Sequence, residues 1–339
     1  MKRKVLLIYT GGTIGMEKNY ETGSLVPFDF QHIFKKIPEM NLLECEVSVH
    51  PFSKPVDSSD MGPKQWQIIA DYIGKNYHNF DGFLILHGTD TMSYTASALS
   101  FMLKGLRKPV ILTGSQLPIG DLRTDAKENL LTSLYYASLY ENGKAAVQEV
   151  AIYFEYKLLR GNRTLKYSAE FFDAYISPNY PVLGQSGVHL NIEKDFLFRP
   201  EKEAEFEVDT HISQDILFWR IFPGMTLEHF KELPKVKVLI LQVFGSGTIF
   251  NSEKTKDTLK NLRKNGTEIV VVSQCISGSI SFGKYENSNI FSEIGAISGN
   301  DITAESAITK AMHLIDNPNY TGSFSENFIK SISGEITAE

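Results

Sequence analysis

Apolar residues fall along this chain in short runs, each closed by glycine, proline or hydroxyl residues and followed by a helical pattern. The runs "KVLLIYT" (4–10), "CEVSVHPF" (45–52), "FDGFLILHGT" (80–89), "KPVILTGS" (108–115) and "EVAIYF" (149–154) read as strands. Between them, "GPKQWQIIADYIGKNY" (62–77) and "SYTASALSFMLKGL" (93–106) carry apolar residues at helical spacing. Near-continuous apolar strands are buried on both faces, so the alternation predicts a mainly parallel sheet with helices on either side.

The pattern breaks around residues 184–212, a polar and acidic stretch with room for a short hairpin and a linker. A second set follows: strand "DILFWRIFPG" (215–224), helix "TLEHFKELP" (226–234), strand "VKVLILQVFGSGT" (236–248) and helix "SEKTKDTLKNLRKNG" (252–266). Strand "TEIVVVSQC" (267–275) and helix "ITAESAITKAMHLID" (302–316) complete it. The reading is an α/β protein of two domains. An N-terminal, mainly parallel doubly wound sheet occupies residues 1–190, a linker 191–212, and a smaller C-terminal α/β domain 213–339. The length of 339 residues agrees, because a single core rarely grows beyond about 250–300 residues.

Composition narrows the function classes. The chain is 42% hydrophobic and 22% charged with a net charge of -6, so the positive field of a nucleic-acid binder is missing. The basic start "MKRK" precedes an apolar run of Val5–Tyr9, shorter than the 7 to about 15 residues of a secretory signal. No stretch is long enough to span a bilayer. Cys45 and Cys275 lie too far apart in sequence to imply a disulfide framework. The expectation is a cytoplasmic protein with no membrane and no nucleic-acid partner.

In an open parallel sheet, ligands bind beyond the carboxyl ends of the strands. Hydroxyl and acidic residues gather there: Thr13 after the first strand, Asp57, Ser58 and Ser59 after the second, Thr89 and Asp90 after the third, and Ser115 after the fourth. The glycines of "YTGGTIGM" do not form a dinucleotide fingerprint, since Thr10 stands at its first glycine, and no Gly-Lys-Ser/Thr makes a phosphate loop. The histidines are scattered, with no metal-ligand spacing, and no nucleophile elbow G-x-S-x-G occurs. His87 reads as a strand-end packing residue. A hydroxyl nucleophile then needs a base, and a lysine in a closed site or a relaying hydroxyl could serve. Lys166 in "RGNRTLKYS", with Asp90 to fix its position, is the candidate.

The segments "YTGGTIGM" and "LHGTDTMSYTASALSFML" resemble the two signatures of the L-asparaginases, specifically the bacterial cytoplasmic type I group. "DSSDM", "KPVILTGSQLP", "RGNRTLK", "FDAYISPN", "SQCISG", "DITAESAITK" and "GEITAE" extend the resemblance over essentially the whole chain. It implies a double-displacement amidohydrolase that uses no cofactor and no metal, acting on the small molecule L-asparagine through a threonine-linked β-aspartyl intermediate. Thr13 would be the nucleophile. Thr89, Asp90 and Lys166 would form the second polar cluster, while Asp57, Ser58, Ser59, Thr89, Asp90 and Ser115 would bind substrate. Backbone N–H groups near Thr13 and Thr89 would form the oxyanion hole. Tyr20 is the candidate for the family's lid tyrosine. A homodimer or homotetramer is implied, as is residence in the cytoplasm. A glutaminase-asparaginase of mixed specificity and an asparaginase-like amidotransferase module are the alternatives; the latter carries an extra N-terminal domain, whereas here the threonine motif opens the chain.

Some relatives of this group bind a second asparagine at an allosteric site, using an arginine and a hydroxyl where this chain has Gln242 and Leu165, together with a cysteine at Cys275. Two contacts to an anionic effector are therefore lost. Initial rates against asparagine concentration should follow a hyperbola; a strongly sigmoidal curve would contradict this.

Overall fold

The structure, a computed structural model, describes residues 2–18, 25–27, 33–225, 235–250 and 252–337. It divides into two compact units, Met1–Thr210 and His211–Glu339. The helix expected over 226–234 lies outside the described residues, as does Tyr20.

In the first unit, strands β1 (Arg3–Tyr9), β2 (Cys45–Pro51), β3 (Gly82–Leu86), β4 (Val110–Thr113) and β5 (Val150–Phe154) are parallel, in the order β2-β1-β3-β4-β5. β6 (Lys157–Arg160) turns back against β5. A hairpin, β7 (Leu165–Lys166) with β8 (Tyr175–Ile176), follows beside the sheet. β9 (Gly184–Ser186) and β10 (Leu190–Ile192) then extend the sheet antiparallel beyond β6. This is the short hairpin expected after residue 184. Residues 191–210, read from sequence as a linker, fold with the first unit: β10 belongs to its sheet, and Glu207–Val208 pairs with Leu103–Lys104. Their polarity is that of a surface edge, which is why they resemble a connection.

The apolar runs are buried on both sides. Val5, Leu7, Tyr9, Leu84, Leu86 and Ile111 pack with Ala126, Leu130 and Leu134 of helix α3 (Ala126–Ser138). The alternate residues Leu6, Ile8, Phe83, Ile85 and Leu112 are equally buried. Helix α2 (Met92–Met102) packs against β4 and β5, and α1 (Pro63–Asn76) against α2. Each fully buried side chain of this size contributes about 1.5–3 kcal/mol, so the sheet is a rigid platform for the loops at its ends.

The second unit repeats the scheme with four parallel strands, β11 (Ile216–Arg220), β12 (Val238–Val243), β13 (Glu268–Ser273) and β14 (Ile297–Ser298), in chain order. Leu239, Leu241 and Val271 face Leu259 of α4 (Glu253–Lys264); Val238, Ile240 and Val270 face Ala307 and Ala311 of α5 (Ala304–Leu314). Ser252 and Thr303 cap these helices by accepting from Thr255 N and Ser306 N. The fully buried Lys310 of α5 pairs with Glu335 at 2.5 Å and donates to the Phe328 and Lys330 carbonyls, fastening the C-terminal segment to the unit.

Strand order reverses between β1 and β3, where an open α/β sheet forms its crevice. The loops leaving these strands touch there. Gly12 has φ +91° and ψ 170°, a conformation open essentially to glycine alone. A β-carbon on it would stand 2.5 Å from the Cα of Gly88. One on Gly88 would stand 2.6 Å from the Ser58 β-carbon, in the loop after β2. Gly143 also has positive φ but faces open space, so Gly143→Ala is a control that gives the cost of a positive φ without a steric contact. Gly12→Ala should cost about 1–3 kcal/mol more than that control in chemical unfolding. Equal losses would mean that the contact at the reversal is not tight.

Candidate active site

The first strand delivers Thr13 through a tied-down end. Thr10 N and Oγ1 both donate to the Leu86 carbonyl, at 3.0 and 2.9 Å, joining β1 to β3. Val56 N donates to Thr10 O at 2.8 Å, joining β1 to the loop after β2. The chain then passes Gly11 and Gly12, and the half-buried Thr13 opens a 3-10 turn, Thr13–Gly15.

After β2, Asp57 caps the turn Ser58–Asp60 by accepting from Ser59 N at 2.8 Å and Ser59 Oγ at 2.7 Å. These bonds favour the ionised form, so the Asp57 carboxyl is held below the usual range. Ser58 is buried, and its carbonyl accepts from Thr91 Oγ1 at 2.6 Å. Asp57 and Ser59 remain exposed.

After β3, Thr89–Thr91 form the turn that leads into α2. Lys166, on the β7–β8 hairpin, donates from Nζ to Thr89 Oγ1 at 2.8 Å and to Asp90 Oδ1 at 2.7 Å. The lysine side chain is 14% exposed and the aspartate 70%, so a shielded cation meets a wet anion. The buried Tyr175, from the other strand of the hairpin, donates its hydroxyl to the Thr89 carbonyl. A lysine far along the chain is thereby locked onto the turn from two sides, which answers its sequence distance from β5.

Two family models match: Asparaginase, N-terminal, over residues 4–197, and Glutaminase/Asparaginase C-terminal domain over residues 215–328. L-asparaginase 1 of Escherichia coli (strain K12) is 38% identical over 342 aligned residues, covering 100% of this chain and 99% of that protein. The solved L-asparaginase I from Vibrio cholerae superposes with a TM-score of 0.89 at 36% identity, with both chains fully covered. The thermostable L-asparaginase from Thermococcus kodakarensis gives 0.88 at 26% identity, covering 99% of this chain and all of its own. The chain belongs to the asparaginase family.

In this asparaginase-family chain, Thr89, Asp90 and Lys166 are in direct contact, while Thr13 and the Asp57–Ser59 turn are reached through the Gly12–Gly88–Ser58 contact. Ser115 is buried and donates its hydroxyl to Leu117 O at 2.5 Å, within its own turn. Gln116, which sequence reasoning missed, accepts from Thr89 Oγ1 at 3.3 Å and donates from Nε2 to Phe171 O at 3.0 Å. Asp125 secures this loop: its buried carboxylate accepts from Gln116 N, Leu117 N and Asn129 Nδ2. Burial nevertheless raises its pKa, because desolvation outweighs those bonds. Nothing in the local pattern marks Gln116 or Tyr175, since their partners are distant in sequence, while Asp125 bonds within its own loop and the start of α3.

His87 is fully buried one residue before Gly88, as expected of a packing residue. Trp66 Nε1 donates to Thr95 Oγ1 at 2.9 Å, and Thr95 Oγ1 lies 2.8 Å from His87 Nε2. His87 Nδ1 lies 2.6 Å from the Gly88 carbonyl, which can only accept. The ring proton is therefore on Nδ1, and Nε2 accepts from Thr95. No metal-binding group of three or more His, Cys, Asp or Glu occurs among the described residues.

Burial lowers the His87 pKa from 6.5 to about 4. The depressed value means that the unfolded chain takes up this proton first. The stability contribution is complete above pH 6.5 and is lost as pH falls toward about 4. His87→Gln should flatten the pH dependence of unfolding free energy in that window by about 2–4 kcal/mol. Unchanged pH profiles would mean that the ring is not held neutral.

Proposed function

We propose that this chain is an L-asparagine amidohydrolase that releases ammonia and aspartate in two displacements. The observation that carries the reading is the Lys166 ammonium bridging Thr89 and Asp90 beside the turn that presents Thr13. Relatives named as L-asparaginases over the full length of both chains support the substrate.

Thr13 Oγ attacks the side-chain amide carbon of asparagine, and its proton is passed across the site to the amide nitrogen. The oxyanion forms against the opening N–H groups of the turns at Thr13–Gly15 and Thr89–Thr91, preorganised donors that contribute most where charge develops. Collapse of the intermediate breaks the C–N bond, the nitrogen leaves as ammonia carrying the Thr13 proton, and a β-aspartyl ester remains on Thr13. Water, oriented by Thr89, Asp90 and Lys166, then attacks the ester; its proton passes across the site to Thr13 Oγ as the C–O bond breaks, and aspartate departs. The Asp57–Ser59 turn and Asp90 hold the substrate's α-amino and α-carboxylate groups. Asp57, kept ionised by its own turn, suits the ammonium. With its hydroxyl engaged by Leu117 O, Ser115 meets substrate through its backbone. Tyr20 is assigned as the lid residue by resemblance.

The reaction as written uses no cofactor. No helix among the described residues is long and apolar enough to cross a membrane. A cytoplasmic setting and a homodimer or homotetramer are part of this proposal. Glutamine is longer by one methylene, a difference worth only about 1–3 kcal/mol in a pocket, so some glutaminase activity is compatible with the reading.

Ammonia release from asparagine and glutamine, for wild type and Thr13→Ala, tests the proposal. Asparagine should be the better substrate, and the folded variant should lose roughly a thousandfold or more in kcat. Retention of most activity by Thr13→Ala would move the nucleophile elsewhere.

A further inference from the structure

The Thr89 hydroxyl sits between two partners of opposite character. Lys166 Nζ can only donate, so Thr89 Oγ1 accepts from it at 2.8 Å. The threonine's own proton must then go elsewhere, and Gln116 Oε1 lies 3.3 Å away. The orientation of that amide is determined by its other end: Nε2 donates to the Phe171 carbonyl at 3.0 Å, and a carbonyl cannot be paired with Oε1. The backbone N–H of the same residue is fixed by the buried Asp125 carboxylate at 2.9 and 3.1 Å. Gln116 is thus anchored at both ends, with its oxygen directed at one hydroxyl.

We infer that Gln116 is a positioning residue that holds the proton of Thr89 away from Lys166. It keeps a Thr89 lone pair on the lysine and ties both to the loop that carries Phe171. This rests on the hydrolase reading above and assigns that site a further group, one that acts through Thr89 and makes no demand on substrate contact. Without an acceptor at this position, the Thr89 hydroxyl turns freely about its Cβ–Oγ bond. The Lys166–Thr89 arrangement is then populated for only part of the time, which lowers kcat more than it raises KM.

A glutamate at this position makes the inference specific. When protonated, the carboxyl reproduces the amide: its O–H donates to Phe171 O and its C=O accepts from Thr89. When ionised, it sets an anionic oxygen against the Phe171 carbonyl. The charged groups joined to this network are Lys166, Asp90 and Asp125. All three are present in wild type too, so the ratio of variant to wild-type kcat isolates the new carboxyl.

The experiment measures kcat and KM for asparagine across pH with wild type, Gln116→Met and Gln116→Glu, alongside thermal melts. Gln116→Met, similar in volume but without either bond, should melt like wild type, lower kcat by roughly ten- to a hundredfold and change KM by less than about threefold. The kcat ratio for Gln116→Glu should be near one at the acid end and fall as pH rises through the carboxyl titration, from about pH 4 upward. An active wild type with an unimpaired Met variant, or with a pH-independent Glu ratio, overturns the positioning role and leaves the hydrolase reading standing. A wild type that releases no ammonia from asparagine overturns both.

Discussion

The contact of backbone against backbone between Gly12 and Gly88 is the constraint on which the site depends. β1 and β3 are hydrogen-bonded neighbours, and at the reversal of strand order their outgoing loops leave a crevice between them. A β-carbon at either position would stand 2.5 to 2.6 Å from the facing loop, inside ordinary van der Waals contact, and the loops would have to part. With none, the residue after each glycine carries a hydroxyl at the same edge of the sheet: Thr13 on one loop, Thr89 on the other. The Ser58 loop closes against Gly88 from the side of β2, so three strand ends converge through contacts of the chain with itself. These contacts belong to the chain itself, and preorganisation of this kind is what allows fixed dipoles to stabilise developing charge.

Around that contact the charges are arranged for geometry more than for stability. The Lys166–Asp90 pair is half wet, and exposed pairs contribute at most about 1 kcal/mol. What it provides is direction: the ammonium is placed on Thr89 Oγ1 by the carboxylate on one side and by the hairpin of β7 and β8 on the other, with Tyr175 bonded to the Thr89 carbonyl. The groups that bear the cost of burial lie one layer away. Asp125 is buried with its carboxyl raised by desolvation, and still takes the N–H groups of Gln116 and Leu117. The loop gains rigidity at the expense of an unfavourable burial, a trade common beside active sites.

Much of this was legible in the sequence where local chemistry decides it. The apolar runs of β1, β3, β4 and β5 read as doubly buried strands, and hydroxyl or acidic residues follow their carboxyl ends, where an open α/β sheet binds ligands. Thr13, Thr89 and Asp90 could be named on that ground, and Lys166 as the lysine that could serve them. The two-domain division was legible, but its boundary was not. Residues 191–210 are polar because they form an edge and a strap of the first unit, and composition cannot tell an edge from a linker. Gln116, Tyr175 and the Trp66–Thr95–His87 chain were invisible for another reason. Gln116, Tyr175 and Trp66 each meet a partner tens of residues distant, and nothing about a glutamine or tyrosine in a loop encodes which carbonyl it will meet.

The same network explains why a fold with a histidine so close to the site does not use it as a base. Both nitrogens of His87 are committed, Nδ1 to the Gly88 carbonyl and Nε2 to the Thr95 hydroxyl, and burial keeps the ring neutral down to about pH 4. A general base must accept a proton near neutral pH, and this ring has neither a free lone pair nor the affinity for one. Its bond to the Gly88 carbonyl instead fixes the peptide that precedes Thr89. In the proposed mechanism the groups left to relay protons are hydroxyls, whose protons can be handed on only if their directions are controlled. A site built on hydroxyl relays therefore needs more positioning bonds than one built on imidazole, whose planar ring fixes its own lone pair. In the proposed mechanism Tyr175, Gln116 and Asp125 meet that requirement, each fixed to a neighbouring hydroxyl or backbone group.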